Sequence, residues 1–244
     1  MNGLESGGEE ADTNTAFVSS GLGEARWGWA KLASRGYPPP NMRTRIQLER
    51  PAPRRLSAAV DALRRDQVIV FPSDTGYAFA CRLSSAKGVA ELRRLKGIDA
   101  RHRKPLSMLV ATLGDFGRYA HMSSAAFRVI RRLLPGPYTI VLRATSDVPR
   151  GVRNRDRELG LRIPDHLVCS LLLEMAGEPL LIGSVSSSDE PAELEDPELL
   201  ERRFAGKIAQ FLDGGHLWPE PSTVLRFVDD QMEVVREGQG PVPC

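Results

Sequence analysis

A chain of 244 residues with 41% hydrophobic content can bury one sizeable core, and an α/β domain plus a flexible end is its simplest division. Lys and Arg number 33 against 31 Asp and Glu, so the net charge of +2 gives no global argument for nucleic acid or an anionic membrane surface, and any basic site has to be local. No apolar run approaches the roughly 20 residues that cross a bilayer, so no membrane partner is expected. The cysteines Cys81, Cys169 and Cys244 form no Cys-x-x-Cys pair, which argues against a disulfide scaffold or structural zinc and for a reducing, cytoplasmic setting.

Residues 1–44 carry Glu5, Glu9, Glu10 and Asp12 in a Gly/Ser/Thr background with no hydrophobic signal core, followed by Pro38-Pro39-Pro40. A disordered extension is expected there, its carboxylates weighing against an organelle transit peptide, and a folded domain over 45–240. From Pro53, the apolar positions Leu56, Ala59, Val60 and Leu63 recur at helical spacing and lead into the strand Val68-Ile69-Val70-Phe71. Pro72 lacks a backbone donor and is expected to end regular pairing where Ser73, Asp74 and Thr75 emerge. Ala78 to Leu83 reads as a second strand, and Val89, Leu92 and Leu95 mark a helix ending near Gly97. Leu106 to Val110 follows as a strand, Phe127 to Leu134 as a helix and Thr139 to Leu142 as a strand. Leu159 to Ile163 is a short strand, Leu167 to Met175 a helix, and Leu180 to Ser184 a strand that opens into the hydroxyl run to Ser188. Glu190 to Glu201 reads as an acidic surface segment. The strand Ile208 to Leu212 and a hairpin of Ser222–Val228 and Met232–Val235 around Asp229-Asp230 complete the pattern. Alternating strands and helices with a terminal hairpin favour a mixed-sheet α/β fold.

Three constellations can carry chemistry. The loop from Lys96 to Pro105 gathers Lys96, Arg101, His102, Arg103 and Lys104 around Asp99; such cations can clamp phosphates, or simply cap a helix C-terminus in water. Arg162 alternates with Leu161 and Ile163 on a short strand, so it projects to the opposite face, where it can grip a carboxylate or lie exposed. Ser184, Ser186, Ser187 and Ser188 sit at a strand end, where open α/β sheets bind ligands. No Gly-x-Ser-x-Gly elbow, Walker loop or dinucleotide fingerprint is present, and the four histidines form no recognisable triad, which disfavours a serine hydrolase.

Taken in order, several segments resemble the YrdC/YciO-like family. Phe71-Pro72-Ser73-Asp74-Thr75-Gly76-Tyr77 is similar to a Pro-Thr-Asp/Glu-Thr-x-Tyr-Gly pattern. Lys104-Pro105-Leu106, Pro135-Gly136-Pro137-Tyr138-Thr139, Leu161-Arg162-Ile163-Pro164-Asp165-His166, Pro221-Ser222-Thr223-Val224 and Arg236-Glu237-Gly238 follow. The resemblance implies a single YrdC-like (RibB-like) α/β domain, a twisted mixed sheet around a large positively charged cavity. Its activity in the YrdC branch is synthesis of threonylcarbamoyl-AMP from threonine, bicarbonate and ATP for tRNA modification. By the same resemblance Ser73, Thr75, Arg162 and Ser222 lie near threonine. Lys96, Arg101, Arg103, Lys104, Thr139, Ser184, Ser186 and Arg236 surround ATP, with Mg²⁺ carried on the nucleotide rather than caged by protein. No residue is assigned an acid, base or nucleophile role.

The YrdC branch carries Lys-x-Arg and Ser-x-Asn where this chain has Lys96-Gly97-Ile98 and Ser184-Val185-Ser186. With Gly76-Tyr77-Ala78 at the first turn, the chain looks closer to the YciO branch, and a reduced or altered adenylylation is expected. A second reading, binding of double-stranded RNA or tRNA without adenylylation, rests on Arg101-His102-Arg103-Lys104 and on Arg128, Arg131 and Arg132.

Overall fold

The computed structural model describes residues 43–98, 106–185 and 195–243. Ten strands, β1 (Arg43–Arg45), β2 (Ile69–Ser73), β3 (Gly76–Arg82), β4 (Ser107–Leu109), β5 (Tyr138–Arg143), β6 (Glu158–Arg162), β7 (Leu180–Ser184), β8 (Gln210–Asp213), β9 (Thr223–Val228) and β10 (Gln231–Arg236), form one sheet. Its order is β1-β8-β2-β3-β7-β4-β6-β5-β9-β10, with parallel pairs at β1/β8, β8/β2, β4/β6 and β5/β9 and the rest antiparallel. Six helices pack on it: α1 (Pro53–Arg64), α2 (Ala86–Leu95), α3 (Leu113–Tyr119), α4 (Ser124–Leu133), α5 (Leu167–Ala176) and α6 (Pro197–Phe204). The expected mixed-sheet α/β architecture is therefore the one observed. No helix among the described residues is long and apolar enough to cross a membrane.

Side chains alternate between the two faces of a strand, and here the faces differ in how they are covered. One face carries Val70, Tyr77, Phe79, Met108, Ile140, Leu142, Leu159, Leu161, Leu225 and Phe227, a single apolar cluster sealed by α2, α3, α4 and α6 through Leu92, Phe116, Ile130 and Leu200. On the other face, α1 and α5 bury Ile69, Phe71, Ala78, Ala80, Leu109, Leu180 and Ile182 beneath Leu56, Leu63, Val168 and Leu172. That second cluster stops at β4. Beyond it the same face changes character, with Gly160 and Arg162 on β6, Thr139 on β5 and Arg226 on β9.

Four sequence expectations need correction. Pairing continues through Pro72 to Ser73, because β3 takes the whole of β2 on one side whereas the register with β8 covers only Ile69 and Val70. Proline is tolerated where one side of a strand is unpaired. Arg43 and Thr44, read as part of the extension, form β1 against β8, and Arg43 holds the buried Asp213 at 2.8 Å. The short helix α3 was not expected from its Gly-interrupted sequence; a capping box between Thr112 and Asp115 starts it. Finally, the second half of the acidic segment is the helix α6, whose Leu200 and Phe204 sit four residues apart and turn inward. Residues 190–194 of that segment lie outside the described residues, as do residues 1–42.

Phe204 meets Phe79 edge to face, with ring centroids 4.8 Å apart at 88°. Truncation to alanine leaves a cavity under α6, and F204A is expected to lower stability by about 3–5 kcal/mol in urea unfolding. A loss below about 1 kcal/mol would mean that α6 does not dock on the core.

Candidate functional site

The β2–β3 hairpin turns through Asp74 and Thr75, with Gly76 at φ +97°, a conformation that favours glycine. The Ser73 hydroxyl donates to the Gly76 carbonyl at 2.7 Å and accepts from the Thr75 amide at 3.3 Å, so it serves the turn itself. Thr75 Oγ1 and Asp74 Oδ1 face outward from the turn and accept from Arg162, at 3.0 Å from Nη1 and 2.7 Å from Nη2. Strands β7 and β4 lie between β3 and β6 in the sheet, so this contact requires the sheet to curl until the hairpin tip meets β6. Arg162 is only 4% exposed. Among the described residues its Nε and the second oxygen of Asp74 are buried without a hydrogen-bond partner.

A second group assembles beside the first. Thr139 Oγ1 and Ser222 Oγ share a hydrogen bond of 2.8 Å, both nearly fully buried. Arg236 donates to the Ser222 carbonyl from Nε at 3.1 Å and from Nη2 at 2.7 Å. A bulge between Val234 and Arg236 makes this contact. Without it, strict alternation from Glu233, which pairs with Arg226, would place Arg236 on the opposite face; the extra residue re-aims it. Gly238 fits because a Cβ there would lie 2.1 Å from the Pro221 carbonyl oxygen. Its amide donates to Thr223 Oγ1 at 3.0 Å, and that hydroxyl donates onward to the Gly240 carbonyl. The Arg-Glu-Gly segment is thus a backbone clamp on the Pro221–Ser222 turn.

The two groups meet across β5 and β6. The register Ile140 with Leu161 puts Thr139 beside Arg162 on one face. Burial, and then the Arg162 charge, lower the pKa of the Arg236 guanidinium, so two cations share this region. Gly160 keeps the floor between them flat, since a Cβ would come within 3.0 Å of Ser107 Oγ and 3.1 Å of Thr139 Cγ2. Guanidiniums and hydroxyls on a flat polar floor suit a carboxylate or a phosphate.

Lys96 and Ser184 form a separate contact. The Lys96 stem runs over Gly183, and Nζ donates to the Ser184 carbonyl at 2.6 Å, while the Ser184 side chain is exposed. Ile98, standing where the related branch has arginine, packs against the apolar cluster around Leu92 instead of turning outward. Arg101, Arg103, Lys104 and Ser186 lie outside the described residues. Sequence reasoning left Asp74 out of the binding set although it stands between two chosen hydroxyls; a carboxylate in such a turn was the available signal. Nearby, His166 Nδ1 lies 3.7 Å from the Cys169 thiol. Burial pushes the imidazole pKa down against the pull of Asp74 and Asp165, which keeps the ring neutral, and pushes the thiol pKa up, so the Cys169 thiol is not ionised at neutral pH.

Known proteins share this fold. The family model of Sua5, YciO and YrdC, which carries the description telomere recombination, matches residues 61–238. YciO of Escherichia coli is 31% identical over 198 residues, covering 81% of this chain and 95% of its own. Human threonylcarbamoyl-AMP synthase is 30% identical over 170 residues, and the match spans 70% of this chain but only 54% of the synthase. The crystal structure of E. coli YciO superposes with a TM-score of 0.76 at 30% identity, covering 82% of this chain and 96% of that one. The fold is also that of Pyrococcus abyssi Sua5 complexed with L-threonine, at a TM-score of 0.73 and 24% identity over 81% of this chain and 58% of that one. With the family model covering most of the chain and YciO matched over nearly its whole length, the protein belongs to the Sua5/YciO/YrdC family.

Proposed function

We propose that the chain binds ATP, threonine and bicarbonate and forms threonylcarbamoyl-AMP for N6-threonylcarbamoyladenosine modification of tRNA, in the reducing cytoplasm that the free thiols of Cys81 and Cys169 suit. The observation that carries this reading is the convergence of Arg162, Thr139, Ser222 and Arg236 on one polar patch of the sheet, in a chain related to threonylcarbamoyl-AMP synthase.

Threonine presents a carboxylate, which a guanidinium grips best through two donors. Arg162 spends one donor on Asp74 and one on Thr75, which leaves three of its five for a ligand once the neighbouring side chains adjust. Asp74 and Thr75 then act as positioning residues that fix the plane of the guanidinium. Ser73 holds the turn and so acts at one remove, whereas Ser222 and Thr139 offer hydroxyls at the junction of the two groups. Arg236 and Lys96, with Arg101, Arg103, Lys104, Ser184 and Ser186, are assigned to the nucleotide. Mg²⁺ would arrive on the triphosphate, held by phosphate oxygens and water, and it supplies charge neutralisation at the phosphates.

The chemistry asks little acid or base work of the protein. The threonine amine captures bicarbonate as a carbamate with loss of water, a carbamate oxygen attacks the α-phosphorus, and the bond to pyrophosphate breaks. Alignment and charge supply most of the rate. Ile98 removes one cation from the family pattern, which points to slower turnover than a full Lys-x-Arg site.

Purified protein with ATP, Mg²⁺, bicarbonate and threonine is expected to release pyrophosphate in a threonine-dependent manner. Release that is independent of threonine, or absent alongside normal ATP binding, would reject this reaction. Replacing Arg236 removes an exposed charge that bonds only to Ser222 among the described residues, so the fold should tolerate it. R236Q is expected to lower threonine-dependent release about a hundredfold, with an unchanged melting curve. Retention of full activity would remove Arg236 from the site.

A further inference from the structure

Nine residues, from Gly214 to Ser222, join β8 to β9. Those strands are second and ninth in the sheet, with six strands between them, so the connection runs as a strap across the curl. Its sequence, Gly-Gly-His-Leu-Trp-Pro-Glu-Pro-Ser, places a proline on each side of Glu220. Proline fixes its own φ and holds the residue before it extended, which stiffens this half of the strap.

The strap is pinned at both ends and in the middle. The Tyr77 hydroxyl accepts from the Gly214 amide at 3.0 Å and donates to the Gly215 carbonyl at 2.7 Å, while the Gly215 amide donates to the buried Asp213 at 2.8 Å. Leu217 packs against the main apolar cluster, and its amide donates to the Glu195 carbonyl at 3.2 Å. Pro219 then lies on the tip of the β2–β3 hairpin, where a Cβ on Gly76 would stand 3.2 Å from its Cα. The Pro221 carbonyl accepts from the Gln239 amide at 2.9 Å, and Ser222 bonds to Thr139 and Arg236. Pro219 thus lies against the neighbour of Thr75, which accepts from Arg162, and Ser222 bonds to Thr139, which the strand register sets beside Arg162. Glu220 falls between these two contacts, on the segment that closes a ring around Arg162.

An amino acid brings an ammonium as well as a carboxylate, and Arg162 and Arg236 repel it. Asp74 is not open to it, since one oxygen is held by Arg162 at 2.7 Å and the other is buried. Among the described residues, the other acids within three positions of Arg162, Ser222 or Arg236 in the chain are Asp165, Glu220, Glu233 and Glu237. Glu233 lies 3.4 Å from Arg226. Asp165 stands just before α5, where the helix amides draw it. Glu237 follows Arg236, at the end of the site assigned to the nucleotide. Glu220 is exposed, and among the described residues it has no hydrogen-bond or ion-pair partner.

We propose that Glu220 receives the α-ammonium of the amino acid whose carboxylate Arg162 holds, and so makes the site selective for free α-amino acids over the matching α-hydroxy acids. The inference rests on the reading of Arg162 as the carboxylate site and adds the residue that reads the opposite charge. A hydrogen bond between ions is worth more than one between neutral groups, so the amine gains more from Glu220 than a hydroxyl does. The stiff strap limits what has to be ordered when the ligand arrives. Once the amine has become a carbamate, its remaining N–H still donates to the same carboxylate, so the contact outlasts the first step.

Isothermal titration calorimetry of the full chain, without ATP so that no turnover occurs, tests this with two ligands: L-threonine and its α-hydroxy acid analogue, in which a hydroxyl replaces the amine. Threonine is expected to bind at least about tenfold more tightly than the analogue. E220Q should weaken threonine about tenfold to a hundredfold and leave the analogue, a separate ATP titration and the melting curve unchanged, while E220D, which keeps the charge, should recover part of the loss. If the unmodified chain binds neither ligand, the amino-acid reading of the site falls and this inference with it. Threonine binding that E220Q leaves intact, or a loss shared equally by the analogue, would overturn the inference alone. A D165N variant that weakens threonine as much as E220Q does would move the role away from the strap and overturn it too.

Discussion

The contact of Arg162 with Asp74 and Thr75 constrains everything around it. It joins β6 to the tip of the β2–β3 hairpin across two intervening strands, so it can exist only if the sheet is curled. Taking both charges out of water costs several kcal/mol each, and their attraction roughly offsets this when geometry and hydrogen bonds are good. Here the geometry is incomplete, because Arg162 Nε and one oxygen of Asp74 are buried without partners among the described residues. A pair of this kind contributes little net stability. What it does supply is position: removing one partner would strand the other charge, so the hairpin tip and β6 stay in register with each other.

Curl alone would not make a site if the concave face were filled. Apolar residues and two helices cover that face as far as β4, and Leu56, Leu63, Val168 and Leu172 do there what helices do in any α/β sheet. Past β4 the face has glycine, threonine, serine and arginine, with Val141 and Val224 between them. No helix could bury Arg162, Thr139 and Arg236 as cheaply as leucines, so the sequence itself stops the helical layer at that point. The opposite face has no such break, and a single apolar cluster runs across it from Phe211 on β8 to Leu225 on β9.

Elements with strong period were legible in the sequence: α1 from Leu56, Ala59, Val60 and Leu63, β7 from its apolar run, and the β9–β10 hairpin from Asp229-Asp230, both of which adopt positive φ. The alternation that sends Arg162 away from Leu161 was legible too. Less readable was any feature whose cause lies outside its own segment. Helix α6 hid because half of its residues are charged while only Pro197, Leu200 and Phe204 are buried. Pro72 misled because its effect depends on which side of β2 has a neighbour. The aim of Arg236 depends on a bulge at Val235 that no local pattern announces, and the need for glycine at 238 comes from a carbonyl seventeen residues earlier.

The placement of arginines separates architecture from ligand handling. Where a guanidinium holds the fold, a carboxylate or carbonyl of the chain meets it, as Asp213 meets Arg43 and Glu158 meets Arg226. Arg162 and Arg236 are intermediate: each is anchored by part of its fork, to Asp74 and Thr75 or to Ser222, and keeps further donors. A partly anchored guanidinium has already lost its rotamer freedom, so an arriving anion need not order it again. In the loop that joins β5 to β6, anchoring is done by Val148, Val152 and Asn154 instead, and the arginines keep every donor. One hairpin thus carries cations held in two ways, through their own hydrogen bonds at one end and on a backbone pinned by other side chains at the other.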